Sequence, residues 1–231
     1  MSGSWVLLVL IFMSSIPVIA VYIWFRLAKY QFSLNRFLFA LLAGAAAFFP
    51  ALILQELFTL PFSAENRWTM FFHFFVRIAF TEELSRLLML FIFFWISSRI
   101  KPNEGSALPV SYNTVKKGTA TGLVAGLGFA VLESAVYGAS DASILLLRAI
   151  TAAPLHGACG SRIGAAAVLF RSNPIQALFR VFSATIIHGV YNFMIAMPGL
   201  SAIAAVLIAI SALITAILTI RGGWVSERNS F

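Results

Sequence analysis

Apolar residues fill long stretches of this 231-residue chain, and polar residues are confined to short breaks between them. Each stretch has about 20 residues or more, the length that a helix needs to cross a bilayer. Helix-breaking residues mark the breaks, as at Pro61, Pro102, Pro174 and Pro198. The pattern predicts an all-α, polytopic transmembrane helical bundle of seven spans, near Ser4–Phe25, Arg36–Leu60, Phe72–Ile96, Val115–Gly138, Ile144–Phe170, Ile175–Met197 and Ser201–Ile220.

Composition supports a membrane protein and excludes a soluble one. Hydrophobic residues make up 61% of the chain and charged residues 10%, with a mean hydropathy of +0.94. Soluble domains carry about a quarter charged residues, so this chain lacks the polar surface that water requires. We therefore expect residues 1–231 to form a single integral-membrane domain. The one cysteine, Cys159, excludes an internal disulfide.

The net charge of +8 does not indicate nucleic-acid binding, because Arg and Lys sit in short clusters between apolar stretches. The clusters alternate with connections that carry few basic residues, so the positive-inside rule predicts an outside N-terminus and a cytoplasmic C-terminus. Residues 1–3 include no basic side chain, which favours a retained first helix over a cleaved signal peptide. The clusters are Arg26, Lys29 and Arg36; Arg99, Lys101, Lys116 and Lys117; Arg171; and Arg221 with Arg228.

Four of the predicted spans contain ionisable residues that lipid does not tolerate. A charged side chain near the bilayer centre costs about 2.5–3.5 kcal/mol on insertion scales. We therefore expect these side chains to face one another, water or a substrate. They are Glu82, Glu83 and Arg86 in the third span, Glu133 in the fourth, Arg148 and His156 in the fifth, and His188 in the sixth.

Helical periodicity predicts that these residues meet. Gly118, Gly122 and Gly126 form a small-residue face on the fourth span, and Glu133 lies about 20° from that face. Similar four-residue stripes carry the ionisable residues of the next two spans, at a depth of roughly 8 to 18 Å below the outer surface. These stripes are Arg148, Ala152, His156, Gly160 and Gly164 in the fifth span, and Ala184, His188 and Asn192 in the sixth.

Two chemistries fit this set of residues. In the first, Glu82 or Glu83 activates water while the other pairs with Arg86, since adjacent residues project about 100° apart on a helix. Histidine then shares the proton transfer, and Asn192 donates to an oxyanion. In the second, a zinc ion is bound by ligands drawn from Glu82, Glu133, His156 and His188, with an open position for water. The spacing does not decide between them.

Four segments resemble the motifs of the PrsW family of intramembrane proteases, in order, over about residues 73–197. The departures are Arg86 where that family usually has lysine, and Ser134 where it usually has asparagine. The segments are Thr81–Arg86, similar to E-E-x-x-[KR]; Gly126–Ser134, similar to G-x-x-F-A-x-x-E-N; Arg148–Gly157; and His188–Phe193.

This resemblance implies a bundle of about seven or eight helices, related to the CAAX-protease and bacteriocin-processing superfamily. It implies an intramembrane endopeptidase, glutamic-type or zinc-dependent, in a bacterial or archaeal cell membrane. Its substrate would be a membrane-anchored protein such as an anti-sigma factor, cleaved in regulated proteolysis. The expected catalytic residues are Glu82, Glu83, Glu133, His156, His188 and Asn192, supported by Arg86 and Arg148.

A different class of protein also places glutamate and histidine inside a membrane. Proton-coupled transporters and channels use such residues as proton relays. Transporters often show two repeated halves, whereas this chain concentrates its ionisable residues in the third to sixth spans without a convincing repeat. Transport is therefore the alternative to proteolysis.

Overall fold

The computed structural model describes residues 3–59, 66–100, 112–139, 144–196 and 201–228, and every regular element in those ranges is helical. The all-α class is therefore confirmed. The breaks at Pro61, Pro102 and Pro198 lie outside the described residues. The elements are α1 (Gly3–Ser14), α2 (Ile16–Leu27), α3 (Leu34–Ala46), α4 (Phe48–Leu57), α5 (Arg67–Phe71), a π-helical segment (Phe72–Phe80), α6 (Thr81–Ile100), α7 (Tyr112–Gly138), α8 (Ile144–Ile150), α9 (Ala152–Leu169), α10 (Pro174–Ala196) and α11 (Ser201–Arg228).

Several of these helices can cross a membrane. Within the described ranges, four are long and apolar enough, and α1 with α2, bent by 42°, make a fifth if they are counted as one span. α6 and α9 are not among them, because both carry charged or polar residues of the predicted site. The chain is an integral membrane protein, and the count of seven spans and the orientation of the termini stay predictions. The four helices are Leu34–Leu57, Thr114–Gly138, Pro174–Ala196 and Ala202–Gly222.

Prolines divide three of the predicted spans. Pro17, Pro50 and Pro154 each lie in the first turn of a new helix, where a proline cannot donate to the carbonyl four residues earlier. In the fifth span the helix breaks at Thr151, whose φ and ψ are −121° and −66°. The prediction of one continuous helix through this span is wrong, because Arg148 lies on α8 and the rest of its stripe on α9.

α9 is the central helix of the bundle. Fifteen of its 18 residues are buried, and it contacts α6, α7, α10 and α11. Most of the buried positions are alanine or glycine, so neighbouring backbones approach it closely. A helix enclosed in this way does not need an apolar surface towards lipid, which is why it can carry a histidine.

The glycine face of α7 lies directly against α9. A Cβ atom added at Gly126 would overlap the carbonyl oxygen of His156, and one added at Gly122 would overlap that of Gly160. The predicted small-residue face is therefore confirmed as a helix-packing surface. α3 approaches another face of α7 as closely, since a Cβ atom at Gly44 would overlap the carbonyl oxygen of Ala125.

Gly126→Ala is expected to destabilise the bundle by about 1–3 kcal/mol, the usual cost of overpacking, because α7 and α9 would have to separate. Gly157→Ala is the matched control, since its added Cβ would lie 3.5 Å from the Leu127 side chain, an ordinary contact. Alanine favours helix over glycine by about 1 kcal/mol, so this control should be neutral or stabilised. Thermal unfolding of both variants in detergent measures the difference, and equal melting temperatures would contradict the close packing.

Candidate active site

Glu82 and Glu83 lie where the π-helical segment passes into α6. The segment is nine residues long, whereas most π-helix consists of single turns, which are frequent at functional sites. At the junction, Thr81 Oγ1 donates a hydrogen bond to the carbonyl of Arg77 at 2.6 Å. The change of winding sets the directions in which the two carboxylates leave the helix.

Glu83 is fully buried and is bound through one carboxylate oxygen on two sides. Arg86 Nη2 donates to Glu83 Oε1 at 2.6 Å, and His188 Nδ1 lies 2.7 Å from the same oxygen. The guanidinium of Arg86 also lies over the ring of Phe129, 4.7 Å from its centroid. Glu83 therefore holds the imidazole of His188 by Nδ1 and leaves Nε2 free of this bond.

Glu82 has different partners. Its Oε1 accepts a hydrogen bond from Gln55 Nε2 at 3.2 Å. Its Oε2 lies 3.7 Å from both Arg86 Nη2 and His188 Nε2, is buried, and has no hydrogen-bond partner among the described residues. The two adjacent glutamates thus differ in their distance from Arg86, which is 2.6 Å for Glu83 and 3.7 Å for Glu82, while Oε2 of each is buried without a hydrogen-bond partner among the described residues.

Glu133, near the end of α7, contacts one residue on α8 and one on α9. Its Oε2 accepts a hydrogen bond from Arg148 Nη2 and lies 2.7 Å from His156 Nε2. Arg148 Nε donates to Ser134 Oγ at 3.1 Å, and its guanidinium lies 4.3 Å from the centroid of the Tyr137 ring. Glu133 therefore holds His156 as Glu83 holds His188.

Donor atoms of three residues converge at one point. Glu82, His156 and His188 each offer one ligand atom, and these atoms lie within 4.8 Å of one another. His156 Nδ1 is buried and, like Glu82 Oε2, has no hydrogen-bond partner within the part of the chain that the structure describes. Two imidazoles and one carboxylate are a common catalytic zinc set, and each histidine has the supporting carboxylate that metal-bound histidines usually have. The residues fit a zinc-like ion.

The charges of the cluster also favour a bound cation. Three carboxylates, those of Glu82, Glu83 and Glu133, face two guanidinium groups, those of Arg86 and Arg148. With both histidines neutral, one negative charge remains. A divalent cation would reverse the sign of that charge and give Glu82 a closer positive partner than Arg86, which lies 3.7 Å away.

The structure brings together most, but not all, of the residues predicted from the sequence. Asn192 is half-buried one turn beyond His188, and no hydrogen bond joins its side chain to the described part of the site. Glu133 binds His156 and is not one of the three converging ligands. Gln55 was not predicted as a site residue. The sequence feature that could have identified it is an amide side chain inside an otherwise apolar stretch.

The fold and the cluster together define an integral membrane protein with a polar, enclosed site of the kind that intramembrane hydrolases require. Residues 33–219 match the family described as PrsW family intramembrane metalloprotease, and this chain belongs to that family. The predicted resemblance is confirmed, and with it the class of intramembrane protease. No curated protein and no solved structure gives a significant match.

Arg86→Met is expected to lower the folded yield sharply, because removing one partner of a buried ion pair costs about 3–5 kcal/mol. Arg86→Lys keeps the charge but loses the guanidinium fork and should be intermediate. Arg171→Met, at an exposed position after α9, is the control. The monodisperse fraction in size-exclusion chromatography reports the outcome. Equal yields of Arg86→Met and Arg171→Met would contradict a structural role for the ion pair.

Proposed function

We propose that this protein is a metal-dependent intramembrane endopeptidase that hydrolyses a peptide bond in or near a membrane-anchored substrate. Glu82, His156 and His188 would hold the ion. The observation that carries the proposal is the convergence of their three donor atoms, with each histidine held from behind by a second carboxylate. A bound zinc ion would supply Lewis-acid chemistry that activates water at neutral pH.

The other residues of the cluster orient these ligands. Glu83 and Glu133 each accept from one ring nitrogen of a histidine, which fixes the tautomer and the orientation of the ring. Arg86 balances Glu83 and also donates to the carbonyl of His156 at 3.4 Å. Gln55 steers Glu82 through Oε1. Asn192 stays a predicted oxyanion donor.

A glutamic-type mechanism is the second candidate, and one observation favours it. Glu82 Oε2 is buried beside His188 Nε2 and has no hydrogen-bond partner among the described residues, so it could take a proton from water directly. Both mechanisms need Glu82, whereas only the first needs both imidazoles as ligands. Family membership supports hydrolysis, and no observation favours the transporter alternative.

The substrate that we propose is a single-span membrane protein, of which an anti-sigma factor is the example that the family resemblance implies. Such a segment enters the bilayer as a helix, and its peptide bonds are shielded from bulk water. An enclosed polar cluster supplies both the water and the charge that cleavage there requires. We expect the protein to act in the cell membrane of a bacterium or archaeon.

Metal analysis of the purified protein tests the mechanism. We expect about one zinc per chain, loss of cleavage of a panel of reconstituted single-span proteins after chelation, and recovery on zinc addition. Glu82→Gln, His156→Ala and His188→Ala should each abolish zinc retention and cleavage while the protein stays folded. Full cleavage by the metal-free wild type would support the glutamic-type mechanism instead.

Glu83→Gln and Glu133→Gln separate the supporting carboxylates from the ligands. Each is expected to weaken zinc affinity by about 10- to 100-fold, because its histidine loses orientation and basicity. Glu56→Gln is the matched control, since this carboxylate is 79% exposed and lies 3.8 Å from Arg77 on the surface. Competition with a fluorescent zinc chelator measures affinity. Unchanged affinity in both site variants would contradict the supporting role.

A further inference from the structure

An open basic cup lies between α2 and α3, away from the candidate active site. It has a volume of about 550 Å³. Its floor is aromatic, with the rings of Phe25 and Phe32 packed edge to face at 5.4 Å. Of the described residues that line it, two are basic and none is a carboxylate. The lining residues are Phe25, Arg26, Lys29, Tyr30, Gln31, Phe32 and Ser33.

Hydrogen bonds fix the shape of this cup. The backbone N–H of Tyr30 donates to the carbonyl of Phe25 at 2.9 Å, and that of Lys29 donates to the carbonyl of Arg26 at 3.1 Å. Lys29 adopts a left-handed conformation with φ of 52°. Ser33 caps α3 by accepting from the backbone N–H of Arg36. The cup is therefore preformed.

Two further basic side chains lie beside aromatic rings of the cup. The ammonium group of Lys116, on α7, lies 5.7 Å from the centroid of the Tyr30 ring. The guanidinium of Arg36 lies 5.5 Å from the centroid of the Phe32 ring. Arg26 and Lys29, which line the cup itself, supply the positive charge that attracts an anion.

The carboxylates of the active site are too distant to neutralise this charge. α3 and α4 together make one span of 24 residues from Leu34 to Leu57, so Gln55 lies about 30 Å from the cup. Gln55 contacts Glu82, which in turn lies in the cluster with Glu83 and Glu133. The basic cup and the acidic cluster thus occupy opposite ends of the bundle.

We propose that the cup binds the phosphate headgroup of an anionic phospholipid. Basic pockets between transmembrane helices, with aromatic residues at the level of the headgroups, are suited to this ligand. The surface beside the cup indicates a lipid instead of a free anion, because exposed apolar side chains extend from it along both helices and would contact the acyl chains. These side chains are Ile23 and Leu27 on α2, and Leu34 and Leu38 on α3.

Lipid titration of the purified full-length protein tests this proposal. Phosphatidylglycerol added to detergent micelles should raise the melting temperature of the wild type, because a ligand that binds only the folded state stabilises it. Phosphatidylcholine should have a much smaller effect. The double variant Arg26→Gln with Lys29→Asn should bind phosphatidylglycerol about 30-fold more weakly. Asparagine is chosen because it tolerates the left-handed conformation.

The control is the double variant Lys117→Gln with Arg171→Gln, which removes the same charge from two exposed positions outside the cup. It should respond to phosphatidylglycerol as the wild type does. Equal losses in the two double variants would show general surface attraction and overturn the proposal. Stabilisation by inorganic phosphate alone, equal to that by phosphatidylglycerol, would overturn a lipid in favour of a free anion.

Discussion

A carboxylate inside a helical membrane bundle has no bulk water to stabilise it, so its position depends on the cation that it meets. For Glu82 and Glu83 that cation is Arg86. Its guanidinium reaches the carboxylate of Glu83 and the carbonyl oxygens of Glu82 and His156. It therefore links the first turns of α6 to α9, and through Glu83 it also holds the histidine of α10. Because breaking such a pair leaves an uncompensated buried charge, the geometry of the whole site follows from this contact.

The site also requires closely packed helix backbones, because its side chains must reach from one helix to the next. The carbonyl of His156 lies against Gly126 on one side and accepts from Arg86 on another. A larger residue at Gly126 would move α7 outward and carry Glu133 away from His156. The small residues of α7 and α9 therefore contribute to the site without side-chain polar atoms, because they set the distance between Glu133 and His156.

The polar cluster can be predicted from the sequence because burying a charged side chain in lipid is costly. Charged side chains avoid that cost by facing one another inside the bundle. Four-residue periodicity places Glu133, His156 and His188 on inward faces, and the structure brings them together as expected. Periodicity does not predict the break at Thr151, because it does not register the hydrogen bond that Pro154 removes from the first turn of α9. Gln55 was missed because an amide near a helix end resembles an interfacial residue. The π-helical winding before Glu82 has no sequence signal that periodicity detects, since it depends on tertiary packing.

The arrangement of the unpaired atoms bears on the choice between metal and glutamate. A buried polar atom without a hydrogen bond costs about 1–3 kcal/mol. Among the described residues of the site, Glu82 Oε2, Glu83 Oε2 and His156 Nδ1 have this property, and Glu82 and His156 belong to one group with His188. A general base acting alone needs one such atom, and the protein could satisfy the others by turning a ring. Instead, Glu83 and Glu133 each hold one imidazole ring, and one ligand atom of each ring lies within 4.8 Å of a carboxylate oxygen of Glu82. Holding both histidine rings in place at this cost in free energy is consistent with a ligand that needs all three donors at once. A zinc-like cation is such a ligand.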